Sequence, residues 1–191
     1  MGLFPLITPD PDYANIGRVL DQALASGRPV YLIKPMAGLE IKADLEPAGT
    51  LWQARAYETP PDYPLDLALP QISLHGYDLS PATINPGHPF TVTLHWQATQ
   101  PLPYDYTSYV HLIDAAGQGV TQSDQRPGGD FYPSHYWQPG EILRDRHTLT
   151  IPPTTSPGQY RLRAGLYHQP EPGVIENVGQ GLEIGTITIK Q

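Results

Sequence analysis

The chain has 191 residues, no cysteine, and 11 Lys and Arg against 19 Asp and Glu, for a formal charge of −8 with histidine neutral. The absence of cysteine removes disulfides, thiolate metal sites and a cysteine nucleophile. The acidic balance, with no Lys/Arg-rich run anywhere, argues against a nucleic-acid partner, because a phosphate backbone is bound by a basic face.

Taken in chain order, residues 2–7 are too short and too uncharged for a secretory leader, and no later stretch reaches the roughly 20 apolar residues of a membrane span. A helix is expected over 12–26, where Ile16, Val19, Leu20, Ala23 and Leu24 recur at helical spacing and Gly27 stands at the left-handed cap position. Residues 29–33 (PVYLI) read as a strand covered on both faces, and a helix feeding such a strand is half of an α/β unit. A second strand is expected over 50–56, around Leu51 and Trp52, after the turn Pro47-Ala48-Gly49. Residues 1–60 thus read as a small, truncated α/β segment.

The stretch ETPPDYPLDLALP, 58–70, is proline-rich and is expected to be extended without ladder hydrogen bonds. Residues 61–70 therefore serve as a link, and 71–191 as a separate fold that stands without the first 60 residues. The 23 prolines of the chain fall between apolar runs, which marks turns rather than a disordered tract.

Past the link the apolar residues alternate. Phe90, Val92, Leu94 and Trp96 interleave with Thr91, Thr93, His95 and Gln97, so one face is buried and the other, His95 included, points to solvent. Tyr160, Leu162, Ala164 and Leu166 alternate with Arg161, Arg163 and Gly165, and His147, Leu149 and Ile151 form another inward set. Residues 108–114 are apolar on both parities, as in a central strand, and 119–124 and 174–177 add two more. The parity switches between Leu74 and Tyr77, and again between Ile184 and Ile187, which places β-bulges at Gly76 and Gly185. The whole is a mainly β chain, an immunoglobulin-like or jelly-roll-type sandwich of about eight strands. Pro157-Gly158-Gln159-Tyr160 has the turn and leading tyrosine of a tyrosine corner.

The densest candidate site is the loop 124–137, DQRPGGDFYPSHYW. Phe131, Tyr132, Tyr136 and Trp137 offer flat apolar surfaces on which sugar rings stack, and Asp124 and Asp130 offer acceptors for sugar hydroxyls. The competing reading is that these rings plug the open end of the sandwich, and Tyr104 and Tyr106 share that ambiguity. Asp124 and Asp130 with backbone carbonyls also suit a hard cation such as calcium, but they lack the spaced acidic pattern of a calcium loop and fit turn-forming aspartates better. His111 and Asp114, three apart on a strand, face opposite sides and cannot chelate one ion, so His111 is expected as a half-buried, hydrogen-bonded side chain. Glu141 and Asp145 flank a strand start and are expected to be solvated. There is no nucleophile elbow, phosphate loop or dinucleotide fingerprint. No catalytic residue, metal site or cofactor is assigned, and the chain is read as a non-enzyme.

Two groups of motifs carry a family resemblance. GRPVYLI (27–33), PMAGLE (35–40) and LEPAGTLW (45–52) resemble the extracytoplasmic tail of multi-spanning bacterial membrane proteins of the mannosyltransferase-like superfamily, common in Chloroflexi-type bacteria. LHGYDL (74–79), VTLHWQ (92–97), VHLID (110–114), WQPGE (137–141), DRH (145–147) and PGQYRLR (157–163) are similar to the β-sandwich that closes many of those tails. The resemblance implies a place on the extracytoplasmic face of the cell membrane, tethered to a membrane span of a longer protein. It carries no catalytic residue over, because the acidic residues that work on polyprenyl-phosphate sugars in that superfamily lie near its first membrane spans. The resulting expectation is an accessory module that holds a glycan or another cell-envelope component, or positions an acceptor. The alternative is a purely structural or protein-interaction domain.

Overall fold

The computed structural model describes residues 13–34, 38–57, 60–81, 83–129 and 131–190. Helix α1, Tyr13–Ala25, fills the expected span; Leu20 and Ala23 are buried on its inner side, while Val19 lies outside the stripe. It closes on Gly27, whose positive φ of 68° brings its N–H to the Leu24 carbonyl.

Strands β1 (Val30–Leu32), β2 (Asp44–Ala48) and β3 (Leu51–Arg55) form an antiparallel sheet in the order β1-β3-β2. This corrects the expected half of a parallel α/β unit. The turn after Ala48 folds β2 back on β3, so the neighbour comes from the adjacent segment and no crossover is needed. The local signal for β2 is weak, since Pro47 sits within it and only Leu45 favours a strand. Nor is β1 covered on both faces, for Tyr31 is 52% exposed.

The sandwich comprises β4 (Tyr63–Leu69), β5 (Ile72–Ser80), β6 (Pro89–Ala98), β7 (Thr107–Ile113), β8 (Gly119–Gln125), β9 (Ile142–Thr150), β10 (Gly158–His168), β11 (Glu176–Asn177) and β12 (Leu182–Ile189). One sheet runs β4-β5-β6-β9; the other runs β8-β7-β10, with β12 and the short β11 along the far edge of β10. The chain changes sheet between β6 and β7, β8 and β9, and β9 and β10, as in an immunoglobulin-like sandwich with β4 added outside β5. The inward residues read from the alternation, among them Val92, Leu94, Trp96, Leu112, Leu149 and Leu162, are buried in one core.

Both bulges are where the parity placed them. The β5–β6 register shifts between Leu74 and Tyr77, and the β10–β12 register shifts where Leu162 faces Gly185. At Gly76 a Cβ would lie 2.6 Å from the Tyr63 carbonyl oxygen, so only glycine lets β4 cross there. The tyrosine corner is also present, for Tyr160 Oη donates to the Ser156 carbonyl at 2.7 Å.

The expected link is not free of the sheet. Tyr63–Leu69 pairs with β5, with its register broken between Pro64 and Leu67. Proline is tolerated there because β4 is an edge strand whose outer groups need no partner. His95 corrects a second expectation, being 3% exposed and bonded through Nε2 to Asp78 Oδ2 at 2.8 Å. Its neighbour across the ladder, Arg144, lies with its guanidinium 3.9 Å from the centre of the Tyr57 ring, and the 3-10 turn Leu39–Ile41 packs on β9. The N-terminal layer therefore lies over part of the outer face of the β4-β5-β6-β9 sheet, at Arg144, while Arg146, Thr148 and Thr150 of β9 stay exposed; His95, read as wet, is enclosed.

Candidate functional site

The aromatic loop sits where this layer meets the sandwich. Phe131, Tyr132 and Trp137 are buried, Trp137 to 1% exposure, and the Trp137 indole N–H donates to the Tyr132 carbonyl at 3.1 Å. Tyr136 is half-buried against His135. The expected stacking platform is thus not formed by Phe131, Tyr132 and Trp137, which plug the end of the sandwich under α1. Asp130 lies outside the described residues. Asp124 is separated from the loop's rings, on β8, where Oδ1 lies 3.4 Å from His111 Nε2 and Oδ2 accepts from Tyr167 Oη at 3.3 Å.

A buried cation holds the plug. Lys42 Nζ, on a side chain 1% exposed, donates to Asp21 Oδ2 at 2.7 Å and to Glu141 Oε1, and lies 4.1 Å from the centre of the Tyr132 ring. Tyr132 Oη, with one proton to give, lies within reach of two acceptors, Glu141 Oε2 at 3.0 Å and the Tyr136 carbonyl at 2.8 Å. Burial and the facing Glu141 carboxylate push the Tyr132 phenol far above the ordinary tyrosine value. Glu141, expected in solvent, is the hinge of this clasp: a carboxylate taken partly out of water is stable here because a lysine, a phenol and the Gln138 N–H all donate to it.

Asp145 is likewise enclosed rather than solvated. It stands beside His147 on the inner face of β9, with side chains 1% and 0% exposed, and Oδ2 meets His147 Nε2 at 2.8 Å. The same Nε2 lies 3.1 Å from Ser108 Oγ on β7, Nδ1 lies 3.1 Å from Ser123 Oγ on β8, and Gln125 donates to Asp145 Oδ1 at 2.9 Å. Burial alone would raise the Asp145 pKa; the His147 ring with the Ser108 and Gln125 hydrogen bonds outweighs it and holds the carboxyl below its ordinary value. A serine, a histidine and an aspartate in contact have the composition of a hydrolytic relay. Enclosure of the imidazole keeps substrate from it, and Ser108 shares one ring nitrogen with Asp145 instead of taking the opposite one. The network acts as a strut between the free edges of the two sheets, β9 and β8.

The outer face of the other sheet is different. From β7 it carries Tyr109, His111 and Ile113, from β8 Asp124, from β10 Arg161, Arg163 and Tyr167, and from β12 Glu183. The Tyr109 ring lies beside Gly165 and Gly181, 4.6 Å from the His111 ring and 6.3 Å from Tyr167. His111 is half-buried as expected, but Nε2 is not aligned for a hydrogen bond at its 3.4 Å distance from Asp124. An open depression of about 250 Å³ continues this face, lined by Ile113, Gly117, Arg161, Arg163, Gly181 and Glu183. Sequence reasoning missed this group. The alternation put Arg161 and Arg163 on an outer face, but the carboxylates and tyrosine beside them come from strands distant in sequence. Among the described residues no three His, Asp or Glu side chains converge as a metal site, and no helix is long and apolar enough to cross a membrane.

No protein-family model matches the chain, and no curated protein matches it. Among solved structures, the Pseudomonas fluorescens alkylpurine DNA glycosylase AlkC, bound to DNA containing an abasic site analog, is similar at a TM-score of 0.39 and 14% identity, over 63% of this chain and 31% of that one. The chain thus spans under a third of that enzyme's length, and a likeness this distant carries no functional argument.

Proposed function

We propose that the chain is a non-catalytic accessory module of a glycosyltransferase-like membrane protein, working at the extracytoplasmic face of a bacterial cell, and that it holds a cell-envelope glycan on the open β8-β7-β10-β12 face. The observation that carries this reading is the contrast between the sheets. One outer face is partly covered by the N-terminal layer, and the other leaves two arginines, two carboxylates, a histidine and the half-buried Tyr167 at the surface, with the Tyr109 ring buried among them. Such a mixture of hydrogen-bonding groups and ring faces suits a polyhydroxylated ligand. Placement on the membrane rests on the family resemblance of the motifs between Gly27 and Trp52 and between Leu74 and Arg163.

The alternative, a structural or protein-interaction domain without a small ligand, is favoured by the burial of Phe131, Tyr132 and Trp137. Affinity electrophoresis of the full chain through neutral and acidic envelope polysaccharides separates the two. Retardation that Tyr167→Ala abolishes and Tyr132→Phe leaves intact is the expected result. No retardation in any polysaccharide would leave the structural reading.

A further inference from the structure

The depression on the open face has an unused cation. Arg161 and Arg163 leave β10 on the same side, two residues apart. Arg161 is committed, with Nη1 3.4 Å from Glu183 Oε2 and Nη2 3.5 Å from the Asp114 carbonyl oxygen. Arg163 is exposed and has no hydrogen bond or ion pair among the described residues. The neighbouring Tyr109 hydroxyl also has no hydrogen-bond partner among them. Gly181 keeps the two side by side, since a Cβ there would lie 2.7 Å from Arg163 Nε and would also collide with the Tyr109 hydroxyl. The lining therefore holds two cations and one carboxylate, a locally positive spot on a chain of net charge −8.

We infer that this depression binds a carboxylate-bearing sugar residue of the uronic-acid type, an assignment that rests on the glycan-binding reading of the open face and names its ligand class. A guanidinium is planar and always charged, and presents paired N–H donors that match a carboxylate. Arg163 takes the carboxylate, with the buried Tyr109 ring packed behind it, while Glu183 accepts hydrogen bonds from ring hydroxyls. Ile113 meets the C–H face of the ring, and the bare backbone at Gly117, where nothing lies within 4 Å of a Cβ position, leaves room for it. At about 250 Å³ the depression is below the roughly 300–1,000 Å³ of pockets for drug-sized ligands, which limits it to one sugar residue rather than a longer segment.

The test is an NMR titration of the full ¹⁵N-labelled chain with sodium glucuronate, with glucose and N-acetylglutamate as comparison probes. It is followed at the Gly117 and Gly181 amides and the Arg163 Nε–H. Glucuronate is expected to shift these signals with saturation, glucose to leave them in place, and N-acetylglutamate to act more weakly. Arg163→Gln is expected to weaken glucuronate at least about tenfold with the rest of the spectrum unchanged, and added salt to weaken it further. Equal responses to glucose and glucuronate, or an undiminished response in Arg163→Gln, would overturn the carboxylate assignment and leave a neutral-glycan face in place. N-acetylglutamate binding as well as glucuronate would overturn the sugar assignment. Silence toward all three probes overturns this site, and only silence combined with unretarded migration in every polysaccharide removes the glycan-binding reading as well.

Discussion

The outer faces of β6 and β10 start from the same pattern and end in opposite environments. On β6 the polar positions are Thr91, Thr93, His95 and Gln97; on β10 they include Arg161 and Arg163. His95 finishes buried on Asp78 beneath the N-terminal layer, while Arg163 finishes exposed and unpaired among the described residues. Period-2 alternation reports which side of a strand faces the core. It does not report whether the other side is wet, because that depends on whether another segment of the chain returns to cover it.

The contrast can be broken first at the strut. His147→Ala leaves Asp145 enclosed without its main partner, and loss of one member of a buried pair costs about 3–5 kcal/mol; chemical denaturation should show a drop of that size with no change in the open face. The same network sets an acid limb. Asp145 titrates below its ordinary value of 3.8 when folded, so its contribution to stability is complete above that value and is lost as pH falls through the folded pKa. Thermal unfolding of Asp145→Asn between pH 5 and pH 2 should show a shallower decline than the parent. An equally steep decline would place the acid sensitivity elsewhere.

A smaller effect is expected at the clasp. Lys42→Met removes the cation shared by Asp21 and Glu141, both of which keep some contact with water, so a loss of about 1–3 kcal/mol is expected, with Trp137 fluorescence shifting to the red as the plug loosens. An unchanged emission would mean that the layer holds without its ion pairs. Tyr167→Ala, on the open face, should sit within about 0.5 kcal/mol of the parent. A large destabilisation there would make the open face structural too.

Much of the fold was legible because its causes are local. Parity switches gave the bulges at Gly76 and Gly185, and Pro157 to Tyr160 gave the tyrosine corner. What the sequence left open or misplaced depended on distance in sequence. Trp137, Tyr132 and Phe131 have the same composition whether they form a platform or a plug, and what decides is a helix more than 100 residues earlier, whose Gly17 would bring a Cβ within 2.8 Å of the Tyr132 ring. Glu141 and Asp145 looked solvated because their donors, Lys42 and Gln125, belong to other strands and loops. β4 was hidden by Pro64, which an edge strand tolerates, and by the prolines that flank it. The open face was assembled from β7, β8, β10 and β12, so no contiguous motif announced it.

The most direct test of the two-faced account is hydroxyl-radical footprinting of the full chain, alone and with an acidic polysaccharide, read at single aromatic residues. The account predicts that Phe131, Tyr132 and Trp137 are protected in both samples, and that Tyr167 is modified in the free chain and shielded by the polysaccharide. Modification of Trp137 and Tyr132 in the free chain at the rate of Tyr167, with polysaccharide shielding the loop instead, would contradict it and return the binding surface to 124–137.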